Sequence, residues 1–198
     1  MFRAPVNPPG ALAITLAAAG ILMVTMGARQ SMGLFVSPLN VSTGLGTASI
    51  SLALAVAQFV WGAAQPVAGA LADRYGPRPV LVGGLAIAAF GSALTPFMDS
   101  GLGLIFAIGL LTAIGSGASS FSVLMGAAAQ RLPLEARGAA SGVINAGGSF
   151  GQFVFAPIVQ KLIQGFGWMN AMWALVLVTL AALPLVGRLT KPAGPVVK

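Results

Sequence analysis

The chain has 198 residues, of which 57% are hydrophobic and only 7% are charged, and its mean hydropathy is +0.94; so few charges cannot cover the surface of a water-soluble domain of this size. It contains no cysteine and no histidine, which excludes disulfides and thiolate metal sites and removes the commonest general base, so we expect no metal, no cofactor and no enzyme. The ten basic residues are spread over loops and ends, which favours a membrane-topology signal and no nucleic-acid partner.

Six apolar segments are each long enough to cross a lipid bilayer, which takes about 20 residues. They are predicted at 11–36, 47–71, 80–98, 102–129, 139–163 and 168–187. Residues 11–187 are therefore predicted to form a six-helix transmembrane domain, with tails at 1–10 and 188–198. The first segment is too long for a signal peptide, and no small-residue cleavage site follows it.

The first segment carries one charged residue, Arg29, in the run Met26-Gly-Ala-Arg29-Gln-Ser-Met-Gly-Leu-Phe35. A charge inside a membrane helix costs about 2.5–3.5 kcal/mol on insertion scales, so its side chain should face a cavity, a counter-ion or a polar ligand. A guanidinium offers a rigid fork that matches a carboxylate. Two alternatives stay open: Arg29 snorkels to the outer interface, or it bonds carbonyls of a neighbouring helix.

The second segment places Gln58, Trp61 and Gln65 on one helix face, at positions i, i+3 and i+7. Polar side chains inside a membrane face other helices or water. We predict that these three residues contact a substrate. The alternative is that they hydrogen-bond across a helix–helix interface.

The second segment leads into the run Gly69-Ala-Leu-Ala-Asp73-Arg74-Tyr-Gly76-Pro-Arg78. This run places an acid beside a base, then a glycine turn and a further base. This run resembles the loop between helices two and three of major facilitator transporters, G-x-x-x-D-R-x-G-x-R-R, although Pro79 stands where a second base is usual. The alternative is an ordinary charged loop. The resemblance implies a gating motif, in which the carboxylate engages a helix start in the opposite half of the transporter. Arg131, Glu135 and Arg137 lie on the same side of the membrane and are expected to join it; the alternative is that they anchor loops.

The remaining segments differ in polarity. The third and sixth carry few polar side chains and are expected to face lipid. The fourth carries serines among glycines, for which helix packing is the favoured explanation; Ser120 is kept as a candidate substrate contact. In the fifth, Asn145, Ser149 and Gln152 share one face and are candidate substrate contacts, with bonding across a helix–helix interface as the alternative. The spacing of Gly147 and Gly151 is typical of a close helix contact.

The distribution of bases indicates the orientation. With a cytoplasmic N-terminus, eight bases lie on the cytoplasmic side and only Lys161 on the other. The eight are Arg3, Arg74, Arg78, Arg131, Arg137, Arg188, Lys191 and Lys198. The positive-inside rule therefore predicts a multi-pass protein of the cell inner (plasma) membrane with both termini in the cytoplasm.

Residues 26–35, 60–66 and 147–152 resemble the monocarboxylate and oxalate/formate porter branch of the same superfamily. The resemblance implies half of a major facilitator fold, with six helices arranged as two inverted three-helix repeats. It also implies transport of a small organic anion, a mono- or dicarboxylate, by alternating access. In the monocarboxylate members a cation at the position of Arg29 takes part in handling the substrate carboxylate.

Such transporters have two six-helix halves, and this sequence matches the first. A homodimer is expected to rebuild the twelve-helix arrangement, because the two halves are related by an axis along the membrane normal. The alternative is a non-transporting fragment or subunit, either a half that needs a separate C-terminal half or a truncated regulatory paralogue. All three carboxylates, Asp73, Asp99 and Glu135, lie at loops, which favours exchange (antiport) or facilitated diffusion over a proton relay.

Overall fold

The computed structural model describes residues 10–190, and within that range the chain forms six long helices and no strand. They are α1 (Ala11–Thr43), α2 (Thr47–Tyr75), α3 (Pro77–Phe97), α4 (Gly101–Ala129), α5 (Leu134–Phe166) and α6 (Trp168–Thr190), and each is long and apolar enough to cross a membrane. This confirms the predicted all-α membrane protein. Residues 1–9 and 191–198, which include most of both predicted tails, lie outside the described range.

Several helices run past the predicted apolar segments. In α1 a 3-10 turn, Met32–Phe35, leads into a further helical stretch, Val36–Thr43, where a loop was predicted. Pro38 does not break that stretch because it stands in the first turn, where its missing N–H would have no helical partner. At their ends α5 and α6 continue into polar sequence, since a helix satisfies its own backbone in water as well as in lipid. Residues 188–190 are therefore helical.

Glycines end the helices at the tight turns. Gly76 closes α2 with φ of 88°, and Gly167 closes α5 with φ of 82°. Both values lie in the region that side chains with a Cβ rarely adopt, so glycine allows the chain to reverse there within one residue. These short turns make successive helices antiparallel neighbours.

The helix packing follows an internal symmetry. The most extensive contact joins α1 to α5, and others join α2 to α4 and α3 to α6. Suppose that α1 is exchanged with α4, α2 with α5 and α3 with α6. The α1–α5 contact then becomes the α2–α4 contact, and the α3–α6 contact stays the same. The six helices are therefore two inverted three-helix repeats, as predicted.

Glycines permit the close approach of α1 and α5. A Cβ at Gly151 would collide with the backbone of Met23, and one at Gly147 would lie 2.7 Å from the Ala19 carbonyl oxygen. The predicted close contact of these two glycines is thus present, and α1 is the partner helix. Small residues contribute packing energy in a membrane because they let backbones approach.

The core has two apolar clusters, one towards each end of the bundle. One includes Ile21 and Leu124 and the other Phe35 and Leu175. We call the end where α1 begins and α6 ends the basic end, because it carries the arginines of the α2–α3 and α4–α5 connections. Large apolar side chains such as Phe59 and Phe153 are more than three-quarters exposed on the outer surface, as expected for residues that face lipid.

Candidate functional site

Arg29 lies between the two apolar clusters, near the end of the first regular stretch of α1. Its Nη1 donates a hydrogen bond of 2.5 Å to Oε1 of Gln58, and its Cζ lies 4.1 Å from the ring centroid of Trp61. Because Gln58 and Trp61 are three residues apart on α2, both side chains reach the same guanidinium. The Arg29 side chain therefore contacts two side chains of α2. Its bond to the side-chain carbonyl of Gln58 is close to the second alternative, a cation bonded to carbonyls of a neighbouring helix, which stays open beside a role in substrate binding.

The guanidinium has hydrogen-bonding capacity to spare. Nε of Arg29 is buried and has no hydrogen-bond partner among residues 10–190. An unpaired buried donor is costly, and a charged one more so. Because a guanidinium has five N–H donors and only Nη1 is bonded here, Arg29 retains donors for a further acceptor such as a carboxylate oxygen.

A first cavity of about 210 Å³ opens on one side of Arg29; we call it the outer chamber because it lies away from the basic end. Arg29, Gln30, Gln58 and Thr112 supply its polar groups. Its apolar walls include Leu54 and other side chains of α1, α2 and α4. The chamber is thus mostly apolar, with polar groups gathered around one cation.

A second cavity of about 230 Å³ opens towards the basic end, and we call it the inner chamber. Its polar lining consists of Trp61, Gln65, Asn145, Ser149 and Gln152. Arg29 lines the outer chamber and Trp61 the inner chamber, so the stacked Arg29–Trp61 pair lies between the two. Together the chambers bring seven of the eight predicted substrate-contact residues into one cleft formed by α1, α2, α4 and α5.

Ser120 is the predicted contact that the structure does not bring to this cleft. It is 2% exposed and lines neither chamber. Its hydroxyl shares a hydrogen bond of 3.0 Å with that of Ser122. The helix of α4 is interrupted at Ser119 and Ser120, so a regular helical spacing does not give the direction of this side chain.

Two lining residues were missed by the sequence reasoning. Gln30 follows Arg29 directly, and its amide could have been noticed as a second polar group at the same level. Thr112 ends a stretch of α4, Ile105–Thr112, that is wound as a π-helix, and its hydroxyl donates to the Ala107 carbonyl five residues earlier. Periods of 3.6 residues do not predict the face of such a residue, and π-helical turns often occur at functional sites.

The predicted gating residues lie at the basic end. Asp73, Arg74 and Arg78 are exposed, and Gly69 lies a turn before them on α2. The Arg74 guanidinium stands 5.3 Å from the ring centroid of Tyr75. Gly76 makes the turn that the motif needs.

The α4–α5 connection is tied down by its arginines. Nη1 of Arg131 donates to the carbonyls of Arg188 and Leu189, at 3.1 and 2.6 Å, and Nε of Arg137 donates to the Leu132 carbonyl at 3.1 Å. Arg131 thereby satisfies carbonyl acceptors at the C-terminal end of α6, where the helix dipole favours a cation. Glu135 is exposed in the first turn of α5. In this structure Arg131 and Arg137 anchor the loop.

The electrostatics of the cleft are set by one residue. Among the side chains that line the two chambers in the described part of the chain, only Arg29 is charged. Residues 10–190 contain no group of three or more acidic side chains that could hold a metal ion. The cleft can therefore attract and orient an anion.

The fold and this cleft define a multi-pass helical membrane protein with a cationic, otherwise uncharged polar site. The family model described as Major Facilitator Superfamily matches residues 13–198. The chain belongs to this superfamily, which confirms the resemblance drawn from the loop motif.

Two relatives support the monocarboxylate and oxalate/formate porter branch of the superfamily as well. The chain is 37% identical over 145 residues to "Monocarboxylate transporter 13" of Rattus norvegicus, covering 72% of this chain and 32% of that protein. It is 28% identical over 145 residues to "Oxalate:formate antiporter" of Oxalobacter formigenes, covering 73% of this chain and 34% of that protein. These relatives are transporters rather than enzymes, and the chain spans about a third of their length.

A solved structure shares the fold. The proton:xylose symporter XylE, bound to 6-bromo-6-deoxy-D-glucose, matches with a TM-score of 0.74 over 91% of this chain and 45% of its own. The identity is 18%, so the likeness concerns the fold alone. Six helices of this chain thus correspond to about half of a major facilitator transporter.

Proposed function

We propose that this chain forms one six-helix half of a transporter that moves a small organic anion, a mono- or dicarboxylate, across the membrane. The observation that carries the proposal is Arg29, the one charged side chain among residues 10–190 that lines the cleft, held by Gln58 and Trp61 between the two chambers. A carboxylate binds the free edge of the guanidinium. The amides of Gln65, Asn145 and Gln152 then offer uncharged partners on the route to the basic end.

The names of the relatives agree with this substrate class, since one is called a monocarboxylate transporter and another an oxalate:formate antiporter. The size of the chambers, about 210 and 230 Å³, also suits small molecules. In a homodimer two copies of Arg29 line one cavity, which favours a dianion such as a dicarboxylate. Exchange or facilitated diffusion fits the absence of an acidic side chain in the two chamber linings of residues 10–190.

Alternating access requires a second six-helix half opposite the cleft. We propose that a second copy supplies it, with the polar faces of the two copies meeting around a two-fold axis. Asp73 then faces the start of α5 in the partner, near Gly138, and favourable interaction with that helix end closes the basic side of the path. Gly69, Arg74, Gly76, Arg78, Arg131 and Glu135 shape the same gate. Both termini lie in the cytoplasm and the membrane is the plasma membrane.

A second candidate is a chain that needs a separate C-terminal half or acts as a non-transporting subunit. It is favoured by one observation, that the relatives are about three times as long as the matched part. The fold and the cation site are the same under both candidates. They differ in what covers the open side of the cleft.

Uptake of labelled formate, lactate and oxalate into liposomes containing the purified chain tests the anion site. We expect Arg29→Gln to lower uptake about tenfold or more, because a charge-assisted hydrogen bond contributes about 1.5–3 kcal/mol. Arg29→Lys should retain part of it, since the charge stays and the fork is lost. Lys161→Gln removes the same charge from the exposed far end of α5 and should leave uptake unchanged. Uptake that survives Arg29→Gln would exclude this site.

A further inference from the structure

A large apolar groove lies outside the cleft, between α2, α3 and α4. Its volume is about 610 Å³, and its walls are formed by side chains such as Val67 and Leu71 on α2, Ile87 on α3 and Ile114 on α4. No charged side chain lines it within the described chain. Gly83 leaves part of the groove unfilled, because it has no side chain and a Cβ at this position would meet no atom within 4 Å.

The groove and the cleft use different faces of α2. With 100° per residue, the groove side chains of α2 centre about 115° around the helix from Gln58, Trp61 and Gln65. A second half that covers the polar cleft therefore does not fill the groove, which opens sideways towards the membrane. From Val60 to Tyr75 the groove follows α2 for about 22 Å, most of the roughly 30 Å hydrocarbon core. These dimensions suit an extended acyl chain.

The basic end of the groove carries cations. Tyr75 and Pro79 line this end, the Arg74 guanidinium lies 5.3 Å from the Tyr75 ring, and Arg78 directly precedes Pro79. Asp73 points away, about 160° around α2 from the centre of the groove. The Arg74 guanidinium thus stands beside the basic end of the groove, and Arg78 is exposed in the first turn of α3 next to a groove residue. A guanidinium pairs with phosphate oxygens in a bidentate manner.

We propose that this groove binds an anionic diacyl phospholipid, with an acyl chain along α2 and α3 and the phosphate at Arg74 and Arg78. Dispersion contacts along the slot position the acyl chain, and the arginines at its basic end select the negative headgroup. The site is independent of the transported anion. It places a lipid contact directly beside the loop that carries Asp73.

Native mass spectrometry of the detergent-purified chain tests the site, with phosphatidylglycerol and phosphatidylcholine of matched acyl chains added together. We expect phosphatidylglycerol to remain bound in preference. Arg74→Gln and Arg78→Gln should each weaken its retention about fivefold, since a basic residue near an anionic headgroup contributes about that much. Arg188→Gln removes the same charge at the basic end on α6, which supplies no groove residue, and should change nothing. Equal retention of both lipids would overturn the proposal.

A groove-filling variant tests the acyl position separately. Gly83→Leu places a side chain in the slot and should lower phosphatidylglycerol binding, whereas Gly126→Leu, also in open space on α4 and outside the groove, should not. Inorganic phosphate should not displace the lipid, because it lacks the acyl chain. If Gly83→Leu leaves lipid binding intact and instead dissociates a dimer, the groove holds a protein helix and the proposal is wrong. The paired arginine variants keep the test decisive should Gly83→Leu fail to fold.

Discussion

Arg29 illustrates how a charge is kept inside a membrane helix. Its cost is reduced by one hydrogen bond to Gln58 and by the face of Trp61 at 4.1 Å, an interaction worth about 0.5–2 kcal/mol. Neither contact neutralises the charge, because an amide and an indole are both uncharged. The positive potential therefore remains available to a ligand, which distinguishes this arrangement from a structural ion pair.

Replacing Trp61 separates its aromatic role from its bulk. Trp61→Phe keeps a π face beneath the guanidinium and should change the KM for anion uptake little. Trp61→Leu removes that face and should raise the KM by about fivefold to tenfold, because the fork is no longer held in position. Trp173→Leu, on the exposed side of α6, is the matched control. Equal effects of the two leucine variants would show that Trp61 acts only through packing.

At the scale of helices, the α1–α5 contact positions most of the cleft. The two helices supply Arg29 on one side and Asn145, Ser149 and Gln152 on the other. They approach closely because Gly147 and Gly151 present no Cβ towards α1. Dispersion between closely packed backbones is the main attraction available in lipid, where apolar burial gives no preference for a neighbouring helix. The glycines of α5 therefore determine the width of the cleft.

A pair of alanine substitutions tests this interface. Gly151→Ala places a methyl against the backbone of Met23 and should destabilise the fold by about 1–3 kcal/mol, as overpacking does. Gly142→Ala, on the same helix with nothing within 4 Å of its Cβ, should be neutral or slightly stabilising because alanine favours the helix. Thermal unfolding in detergent measures both. Equal melting temperatures for the two variants would contradict the close contact.

At the scale of the molecule, the polar cleft of residues 10–190 lies open on one side of the six-helix bundle. The cleft is lined from α1, α2, α4 and α5 only, and its polar side chains Gln58, Asn145 and Ser149 remain exposed on the bundle surface. Exposed amides are costly in lipid, where they have no water partner. This face therefore requires a cover, which the proposed second half provides.

The detergent-corrected mass from light scattering distinguishes the two sources of that cover. We expect twice the 19.8 kDa of one chain, because a two-fold axis would bring the same exposed polar face of two copies together and remove both from lipid. Asn145→Leu together with Ser149→Leu should weaken the dimer, whereas Leu177→Ala on the exposed surface of α6 should not. A stable monomer would exclude the homodimer and direct the search to a separate half.

The sequence by itself determined the class of protein, the number of its membrane helices and one polar helix face. Six apolar runs and scattered bases are enough for a six-helix membrane fold, since the bilayer imposes the length of each helix. The face shared by Gln58, Trp61 and Gln65 follows from helical periodicity alone. The loop motif was sufficient for the superfamily because several residue types match at set spacing.

Only the tertiary structure decided which helices meet and therefore what Arg29 contacts. Pairing of α1 with α5 depends on glycine contacts between segments far apart in the chain, and no local pattern specifies the partner helix. The same holds for the division of the cleft into two chambers, and for the lateral groove. In α4 the π-helical stretch ends at Thr112, which lines the site, and the helix is interrupted at Ser119–Ser120, where Ser120 stays out of it. Helical periodicity predicts which face a residue occupies within a regular helix. It does not predict that face where the winding is irregular, as in this part of α4.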